Sequence, residues 1–460
     1  MEKQINRDIK NSNYDGIFAH MFATLTGGVF LTGFAVHLGM NEMMIGLLAS
    51  MPFIVTVFQL PVSLFIWKNG RRKKIVYLSA FLARIIWVPI IIFAVLPITS
   101  SYNRSQVILG LIFFSYTFAS VSYVSWLSWI SDLIPDKIRG NFFGTRNMLC
   151  GAAGMIVMLI FGKMLDGLNN QSIGVLPIGF TVTFVSAVFF GIGSLFFLKK
   201  MSEPLQIERE IKKDSFLKLL SLPMSESNFK KFLIFAFLWS FSVHFASPFF
   251  TLYFLRDLKF SYTFVAVLGT LSAFADLTGM KIWGRISDRV KNKAVIQFAS
   301  WVAIFLPLAW VTVKPDSFLM PIILHIIGGG FWAGINLCMV NLLLRLSPEE
   351  NKAVFLSIYN IAGGVGAATG PILAGLVLTS IAHLDFHIFT WKVHPLQIIF
   401  LTSSLFRLLS FQIFKLVQEP EESSAKEIIR ILRSMRGMNI TNGFNYLLHP
   451  FAVVEKEERD

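Results

Sequence analysis

The sequence predicts an all-α membrane protein with twelve transmembrane helices in two pseudo-symmetric six-helix halves and both termini in the cytoplasm. Three observations predict this fold class: the composition, the spacing of the apolar runs and the placement of the basic residues. Of the 460 residues, 54% are hydrophobic and only 15% are charged, whereas soluble chains carry about 25% charged residues. The chain therefore has too little polar surface for a soluble fold, and its 47 phenylalanines suit helices that face lipid.

Apolar runs long enough to cross a bilayer occur twelve times. A helix needs about 20 predominantly apolar residues to cross about 30 Å of hydrocarbon. We number the runs spans 1 to 12, and they cover residues 17–38, 45–67, 75–96, 107–130, 148–168, 178–198, 232–254, 264–283, 295–313, 318–344, 354–382 and 396–417. The predicted parts of the chain are an N-terminal cytoplasmic segment (1–16), an N-terminal half (17–198), a cytoplasmic linker (199–231), a C-terminal half (232–417) and a cytoplasmic tail (418–460).

The basic residues favour one side of the membrane. With the N-terminus inside, 32 of the 41 Lys and Arg residues fall in or at the border of cytoplasmic segments and 5 fall in outside loops. Cytoplasmic loops of membrane proteins carry such an excess. The distribution predicts cytoplasmic termini and explains the net charge of +14 without a nucleic acid partner. Cys150 and Cys338 both lie within spans, so we expect neither a disulfide framework nor a cysteine metal site.

Two loop sequences recur in register in the two halves. After span 4 the chain reads PDKIRGNF (135–142), with Asn147 five residues further on, and after span 10 it reads PEENKAVF (348–355), with Asn360 five residues further on. Basic segments also follow spans 2 and 8. Duplicated six-helix halves are found in several transporter folds. With these features the chain resembles a member of the major facilitator superfamily over residues 17–417.

The signature of that family between helices two and three has the form G-x-x-x-D-R-x-G-R-R, and the chain matches it in part in each half. The matching positions that we select as a cytoplasmic gate are Gly70, Arg71, Arg72, Gly284, Asp288 and Arg289. Ser63 and Trp67 stand where the first half should have Gly and Asp, and Lys291 replaces a Gly in the second. The gating role is what the resemblance implies; alternatively, these residues are cytoplasmic charges that set orientation alone.

The resemblance also implies that spans 1, 4, 7 and 10 line a central cavity. Each of them carries polar or aromatic residues three or four positions apart, which places those residues on one helix face. The candidate substrate-cavity residues are Thr24, Tyr116, Ser120, Tyr123, Trp126, Ser240, His244, His325, Trp332 and Asn336. Each of them could instead be a polar group satisfied by a neighbouring helix. A cavity of this composition, without a cluster of basic residues, suits a neutral, zwitterionic or amphiphilic organic molecule.

Asp276 is the candidate for coupling transport to a proton. It lies seven residues before the end of span 8, or about 10 Å deep at 1.5 Å per residue. Ionisable residues at such depth are functional candidates by default, and a carboxyl group withdrawn from water takes up a proton more readily than one in water. The alternative is a permanent ion pair with Arg84 of span 3 or Arg407 of span 12.

The function implied by the resemblance is secondary active transport of a small organic solute by alternating access, with proton coupling as a further hypothesis. A lipid flippase or a transport-like receptor on the same fold is the alternative. The sequence has no soluble catalytic domain, P-loop, HExxH or GxSxG motif, so we expect no enzyme activity, cofactor or metal. The expected partners are a small-molecule substrate and the lipid bilayer, for a monomeric multi-pass protein of a bacterial inner (cell) membrane.

Overall fold

The computed structural model describes residues 2–59, 61–62, 72–96, 101–168, 172–173, 176–203, 216–381, 386–388 and 391–419. Within these residues, eleven helices are long and apolar enough to cross a membrane, and a shorter apolar helix, Glu42–Phe58, stands at span 2. The predicted all-α architecture of twelve spans is therefore confirmed. The side of the membrane on which the termini lie stays a prediction.

Most described spans are single helices; spans 1 and 3 each consist of two helices, and spans 2 and 7 continue into a 3₁₀ and a π-helical turn. The helices of the N-terminal half are Glu2–Leu25 and Gly28–His37 (span 1), Glu42–Ile54 with a 3₁₀ turn Val55–Phe58 (span 2), Arg72–Ile85 and Trp87–Val95 (span 3), Ser101–Leu133 (span 4), Asp136–Leu168 (span 5) and Ile178–Lys200 (span 6). The helices of the C-terminal half are Ser227–Leu252 with a π-helical turn Tyr253–Asp257 (span 7), Tyr262–Val290 (span 8), Asn292–Val311 (span 9), Leu319–Leu346 (span 10), Lys352–Ile381 (span 11) and Pro395–Lys415 (span 12). A further helix, Phe216–Ser225, lies in the linker.

Span 1 is broken at Gly28, whose φ of +50° is a conformation that glycine adopts without steric cost. Two short antiparallel ribbons were not predicted. The first pairs β1 (Ser172–Ile173) with β2 (Leu176–Pro177), and the second pairs β3 (Phe386–Ile388) with β4 (Trp391–Val393). They follow spans 5 and 11, which are equivalent positions in the two halves, so the internal repeat extends to these loops.

A second repeated feature ties the last span of each half to the third. The Glu203 carboxylate, just after span 6, accepts a hydrogen bond from the Lys73 backbone N at 3.0 Å. In the C-terminal half, the Glu419 carboxylate accepts one from the Lys293 backbone N at 2.6 Å. Each carboxylate therefore satisfies a free N–H at the start of a helix. We call the end of the bundle that holds these contacts, Glu2 and the linker the terminal end, and the opposite end the far end.

The hydrophobic core shows where the halves meet. One cluster includes Phe34 and Phe180 from the N-terminal half and Phe249 and Ala374 from the C-terminal half. Two further clusters each belong to one half and lie towards the terminal end. Trp129 and Phe142 stand in the first of these, and Trp283, Leu342 and Phe411 in the second. The halves thus share a core towards the far end and have separate cores towards the terminal end.

Polar contacts also join the halves at the far end. Arg256 Nη1, after span 7, donates to Glu42 Oε1, before span 2, at 2.7 Å. The Asp166 carboxylate of span 5 accepts hydrogen bonds from the backbone N of Tyr262 and of Thr263, both at 2.8 Å, and from Thr263 Oγ1 at 2.6 Å. Because Tyr262 and Thr263 open span 8, Asp166 caps a helix of the other half.

The glycine and proline segment 366–375 of span 11 serves close packing. Gly46 of span 2 lies against the Pro371 carbonyl so closely that a side chain at Gly46 has no room. A Cβ at Gly375 would lie 2.7 Å from the Glu42 carbonyl oxygen, and one at Gly370 would lie 2.7 Å from the Phe241 carbonyl oxygen of span 7. Small residues let helix backbones approach in this way, and here they bring spans 2, 7 and 11 together.

Candidate functional site

A cavity of about 790 Å³ lies between the two halves. Four of the predicted residues line it: Ser240 and His244 of span 7, and Trp332 and Asn336 of span 10. The cavity extends to Ser357, near the terminal end of span 11. Towards the far end the His244 ring meets the ring of Phe53, from the other half, at a centroid distance of 4.8 Å. We call this space the central cavity.

Polar groups and aromatic rings line the central cavity, and its described lining contains no Asp, Glu, Lys or Arg. Span 2 contributes Thr56 and Gln59, and span 11 contributes Ser357, Tyr359 and Asn360. These two spans were not predicted to line the cavity, because the family resemblance implied spans 1, 4, 7 and 10. A signal was present, because Asn360 stands in the repeated loop motif and Gln59 is a polar side chain within an apolar run.

Ser120 and Thr24 face neighbouring helices. Ser120 Oγ accepts a hydrogen bond from Gln59 Nε2 at 3.0 Å and donates to the Val55 carbonyl at 3.3 Å. Ser120 therefore holds a cavity residue of span 2 in place and does not itself line the central cavity. Thr24 lies against span 5, where a Cβ at Gly154 would come within 3.2 Å of Thr24 Oγ1.

His325 lines a second cavity, of about 360 Å³, inside the C-terminal half. Its Nδ1 lies 3.0 Å from the Pro321 carbonyl, and its ring packs edge-on against Trp310. Trp332 and Arg407 line the same cavity, and Arg407 Nη1 donates to the Ala303 carbonyl at 2.6 Å. Because Trp332 also lines the central cavity, this second space adjoins it.

Tyr116, Tyr123 and Trp126 line a third cavity, of about 320 Å³, whose described walls come only from the N-terminal half. We call it the N-half cavity. It contains three charged side chains that the sequence analysis did not group: Asp15, Arg84 and Arg146. We expected a cavity without a cluster of basic residues. The described lining of the central cavity agrees with this expectation, whereas the N-half cavity contains two arginines.

The three charges of the N-half cavity form one connected network. Arg84 Nη2 donates to Ser194 Oγ at 2.8 Å, and that hydroxyl donates in turn to Asp15. Arg146 Nη2 lies 3.7 Å from Asp15 Oδ2, and the Arg146 guanidinium carbon lies 4.2 Å from the Trp126 ring centroid. Asp15 is only 4% exposed. It escaped sequence analysis because it precedes the apolar run of span 1, yet the helix Glu2–Leu25 carries it into the bundle.

Asp276 is partly buried on span 8 and does not line any of these three cavities. Its neighbours on the same face pack against span 10, since Gly279 meets the Gly330 carbonyl and Gly329 meets the Ser272 carbonyl. Arg84 and Arg407 make the other contacts given above. In the described part of the chain, neither of them forms an ion pair with Asp276.

The predicted gate residues lie at the terminal end, apart from Gly70 and Arg71, which fall outside the described residues. Arg72 forms an ion pair with Asp132 and donates to the Ser128 carbonyl at 2.9 Å, so it ties span 3 to span 4. Asp288 and Arg289 are exposed at the end of span 8, and Gly284 lies one turn before Asp288.

The sequence matches the family model described as Major Facilitator Superfamily over residues 16–371 and again over residues 232–451. The chain belongs to the major facilitator superfamily. Family and fold are those of transporters, and the protein is an integral, multi-pass membrane protein. Among curated protein sequences, none matches this chain.

Solved structures with the same fold include several transporters. The nucleoside transporter NupG superposes with a TM-score of 0.66 at 14% sequence identity and covers 90% of this chain and 98% of its own. A bacterial homologue of the human lysosomal transporter Spinster, inward-facing and unoccupied, gives 0.66 at 14% identity and covers 91% and 100%. A D-xylose–proton symporter gives 0.62 at 15% identity and covers 92% and 100%. At these identities the similarity concerns the fold.

Proposed function

We propose that this chain is a secondary active transporter that moves a small organic solute across the membrane by alternating access. The observation that carries the proposal is the central cavity, which lies between two halves whose described residues share a core towards the far end and form separate cores towards the terminal end. A solute bound there would meet groups from both halves at once. Rocking of the halves would then expose it first at one end and then at the other.

The central cavity suits a solute whose bound part is uncharged. Ser240, His244, Asn336 and Asn360 offer hydrogen-bond donors and acceptors. Trp239, Trp332 and Tyr359 offer ring faces and edges for stacking. A charged group without a partner in such a lining would bear a large desolvation cost.

Closure at the terminal end is the step that the proposed gate would perform. Asp288 and Arg289 are exposed at the terminal end, where the halves have separate cores, and they would meet the opposite half when the terminal ends approach. We propose that this state is inward-facing, with termini in the cytoplasm of a bacterial cell, and that the protein works as a monomer. A reporter fused after Ser101 tests the orientation, because a cytoplasmic signal at that position would reverse it.

Binding and uptake together test the proposed function. Purified protein is screened against a metabolite library for thermal stabilisation, because a ligand that binds only the folded state raises stability by mass action. Each stabilising compound is then measured for uptake into proteoliposomes, with Asn336→Ala and Asn360→Ala as cavity variants and the lipid-facing Phe189→Ala, 70% exposed, as control. Uptake that both cavity variants reduce would support transport. Binding without uptake would favour a receptor.

A further inference from the structure

Two buried N–H donors in the N-half cavity have no hydrogen-bond partner among the described residues. They are Nη1 of Arg84 and Nε1 of Trp126. Both side chains line the cavity, and each residue is only 8% exposed. Buried donors without partners each cost about 1–3 kcal/mol of stability, and they are rare in folded proteins. Because both donors line the same cavity, a ligand that carries hydrogen-bond acceptors can complete their hydrogen bonding there.

The charges of the cavity show what kind of acceptor fits. The lining contains two guanidinium groups and one carboxylate, and guanidinium groups do not lose their proton in proteins. The ionised network therefore carries a net charge of +1, with Arg84 and Asp15 buried and Arg146 partly exposed, and a negatively charged ligand would compensate it. An ordered water would satisfy the Trp126 donor but would leave that charge uncompensated. A group with a single negative charge satisfies both requirements.

The two free donors belong to the same chain of contacts. Arg84 reaches Asp15 through Ser194, Asp15 faces Arg146, and Arg146 stacks on Trp126. This network holds each side chain in place before a ligand arrives. Arginine is well suited to bind a carboxylate, because its donors match the spacing of the two oxygens.

The rest of the lining indicates an organic body on the anion. Apart from the polar residues, the walls consist mainly of alanine side chains and aromatic rings, among them Phe22, Trp87, Tyr116 and Tyr123. The volume of the N-half cavity, about 320 Å³, is at the lower end of the range for small-molecule sites. An inorganic anion would leave the aromatic walls without a partner.

We propose that the N-half cavity binds the carboxylate of a small organic monoanion, with Arg84 and Trp126 as donors to its oxygens. That this anion is also the transported solute rests on the proposed function, whereas its binding does not. The central cavity, whose described lining contains no Asp, Glu, Lys or Arg, then accommodates the uncharged part of a solute or its onward path.

Binding is measured on purified full-length protein in a neutral detergent, by thermal stabilisation and by calorimetric titration. The probes are benzoate, 3-phenylpropanoate and hexanoate, each beside its own carboxamide, together with inorganic phosphate. We expect at least one carboxylate to bind about tenfold or more tightly than its carboxamide, since hydrogen bonds to charged groups are the strong ones. If inorganic phosphate bound as tightly as the best carboxylate, the proposal that the anion has an organic body would be wrong. If no carboxylate bound more tightly than its carboxamide, the proposed site itself would be wrong.

Three variants locate the anion. Trp126→Phe keeps a ring beside Arg146 but removes the free donor, and Arg84→Gln removes the guanidinium; each should weaken carboxylate binding about tenfold or more. Arg104→Gln is the matched control, because Arg104 is also 8% exposed with an unpartnered Nη1 but does not line the cavity. If instead Arg407→Gln abolishes binding while Trp126→Phe and Arg84→Gln do not, the anion binds in the C-terminal half and the proposal is wrong. These outcomes are independent of uptake.

Discussion

At the scale of single residues, the N-terminal half is organised around a buried charge. Asp15 faces Arg146 directly and Arg84 through Ser194. A buried ion pair adds little stability over a well-packed apolar alternative, but loss of one partner leaves the other charge uncompensated. The network therefore makes the N-terminal half sensitive to any change of charge at Asp15.

We predict that Asp15→Asn lowers the free energy of unfolding by about 3 kcal/mol, because the buried Arg84 and the partly buried Arg146 then lack their counter-charge. Unfolding in mixed micelles by titration with sodium dodecyl sulfate measures the change. Asp132→Asn is the control: Asp132 also pairs with an arginine but is 42% exposed, so its loss should cost about 1 kcal/mol or less. Equal losses for the two variants would contradict the burial argument.

Asp276 stays a prediction for proton coupling, and its surroundings make the prediction simple to test. Its carboxylate has neither hydrogen bond nor ion pair in the described part of the chain, so no structural partner competes with a proton for it. We expect Asp276→Asn to abolish the stimulation of proteoliposome uptake by an imposed pH gradient while leaving binding of the solute intact. Asp257→Asn, near the far end of span 7, is the control. Retained stimulation in Asp276→Asn would remove the coupling role.

Residue spacing predicted which helix face carries polar groups but not what that face meets. Tyr116 and Ser120 are one turn apart on span 4, yet Tyr116 lines the N-half cavity and Ser120 bonds to span 2. The outcome depends on the rotation and neighbours of the helix, which are tertiary properties. Asp15 was missed for a related reason, since an apolar run marks the lipid-crossing part of a helix and not its full length.

At the scale of elements, the paired carboxylates at the ends of spans 6 and 12 are the clearest local device. Glu203 accepts from the backbone at the start of span 3, and Glu419 from the start of span 9. Glu419 also accepts from Asn292 Nδ2 at 3.0 Å and from Arg345 Nη1 at 3.3 Å, and its side chain is fully buried. Glu203 is exposed. The two halves thus make the same contact, but the carboxylate is buried in the C-terminal half and exposed in the N-terminal half.

This difference predicts unequal costs for the same substitution. Glu419→Gln should lower the free energy of unfolding by about 2 kcal/mol, because a buried acceptor of charge-assisted hydrogen bonds is lost. Glu203→Gln, exposed, should cost about 1 kcal/mol or less. The same micelle titration measures both. A larger loss for Glu203→Gln would show that burial does not set the strength of these caps.

The twelve spans could be predicted because lipid imposes a minimum apolar length on every helix. The ribbons β1–β2 and β3–β4 could not, because their strands are only two or three residues long. The carboxylate caps had a signal that went unused: Glu-Pro occurs at 203–204 and again at 419–420, after equivalent spans. Repeats in polar loops therefore carry structural information that hydropathy does not.

At the scale of the whole molecule, the contacts between halves that the described residues make are concentrated at the far end. Glu42 with Arg256 and Asp166 with the start of span 8 are polar contacts there, and the packing of Gly46 on Pro371 adds a close helix contact. In alternating access these contacts must break while new ones form at the terminal end. The balance between the two conformations is then set by residues at both ends.

We therefore predict opposite shifts from two substitutions of the same type. Asp166→Asn should favour opening of the far end, because a carboxylate that accepts three hydrogen bonds from span 8 is replaced by a neutral amide. Asp288→Asn should favour the present conformation, because a charge proposed to act in closure of the terminal end is lost. A change of about 1.4 kcal/mol in either balance alters the ratio of conformations tenfold.

Spin labels measure both populations on one molecule. The pair Lys137→Cys and Glu350→Cys reports the terminal end, the pair Met43→Cys and Asp316→Cys reports the far end, and all four positions are exposed. The background replaces Cys150 and Cys338, which are buried free thiols. With Asp166→Asn we expect longer far-end and shorter terminal-end distances to gain population, and with Asp288→Asn the reverse. If the far-end and terminal-end distances lengthened together or shortened together in either variant, the two ends would not be coupled. The alternating-access proposal would then be wrong.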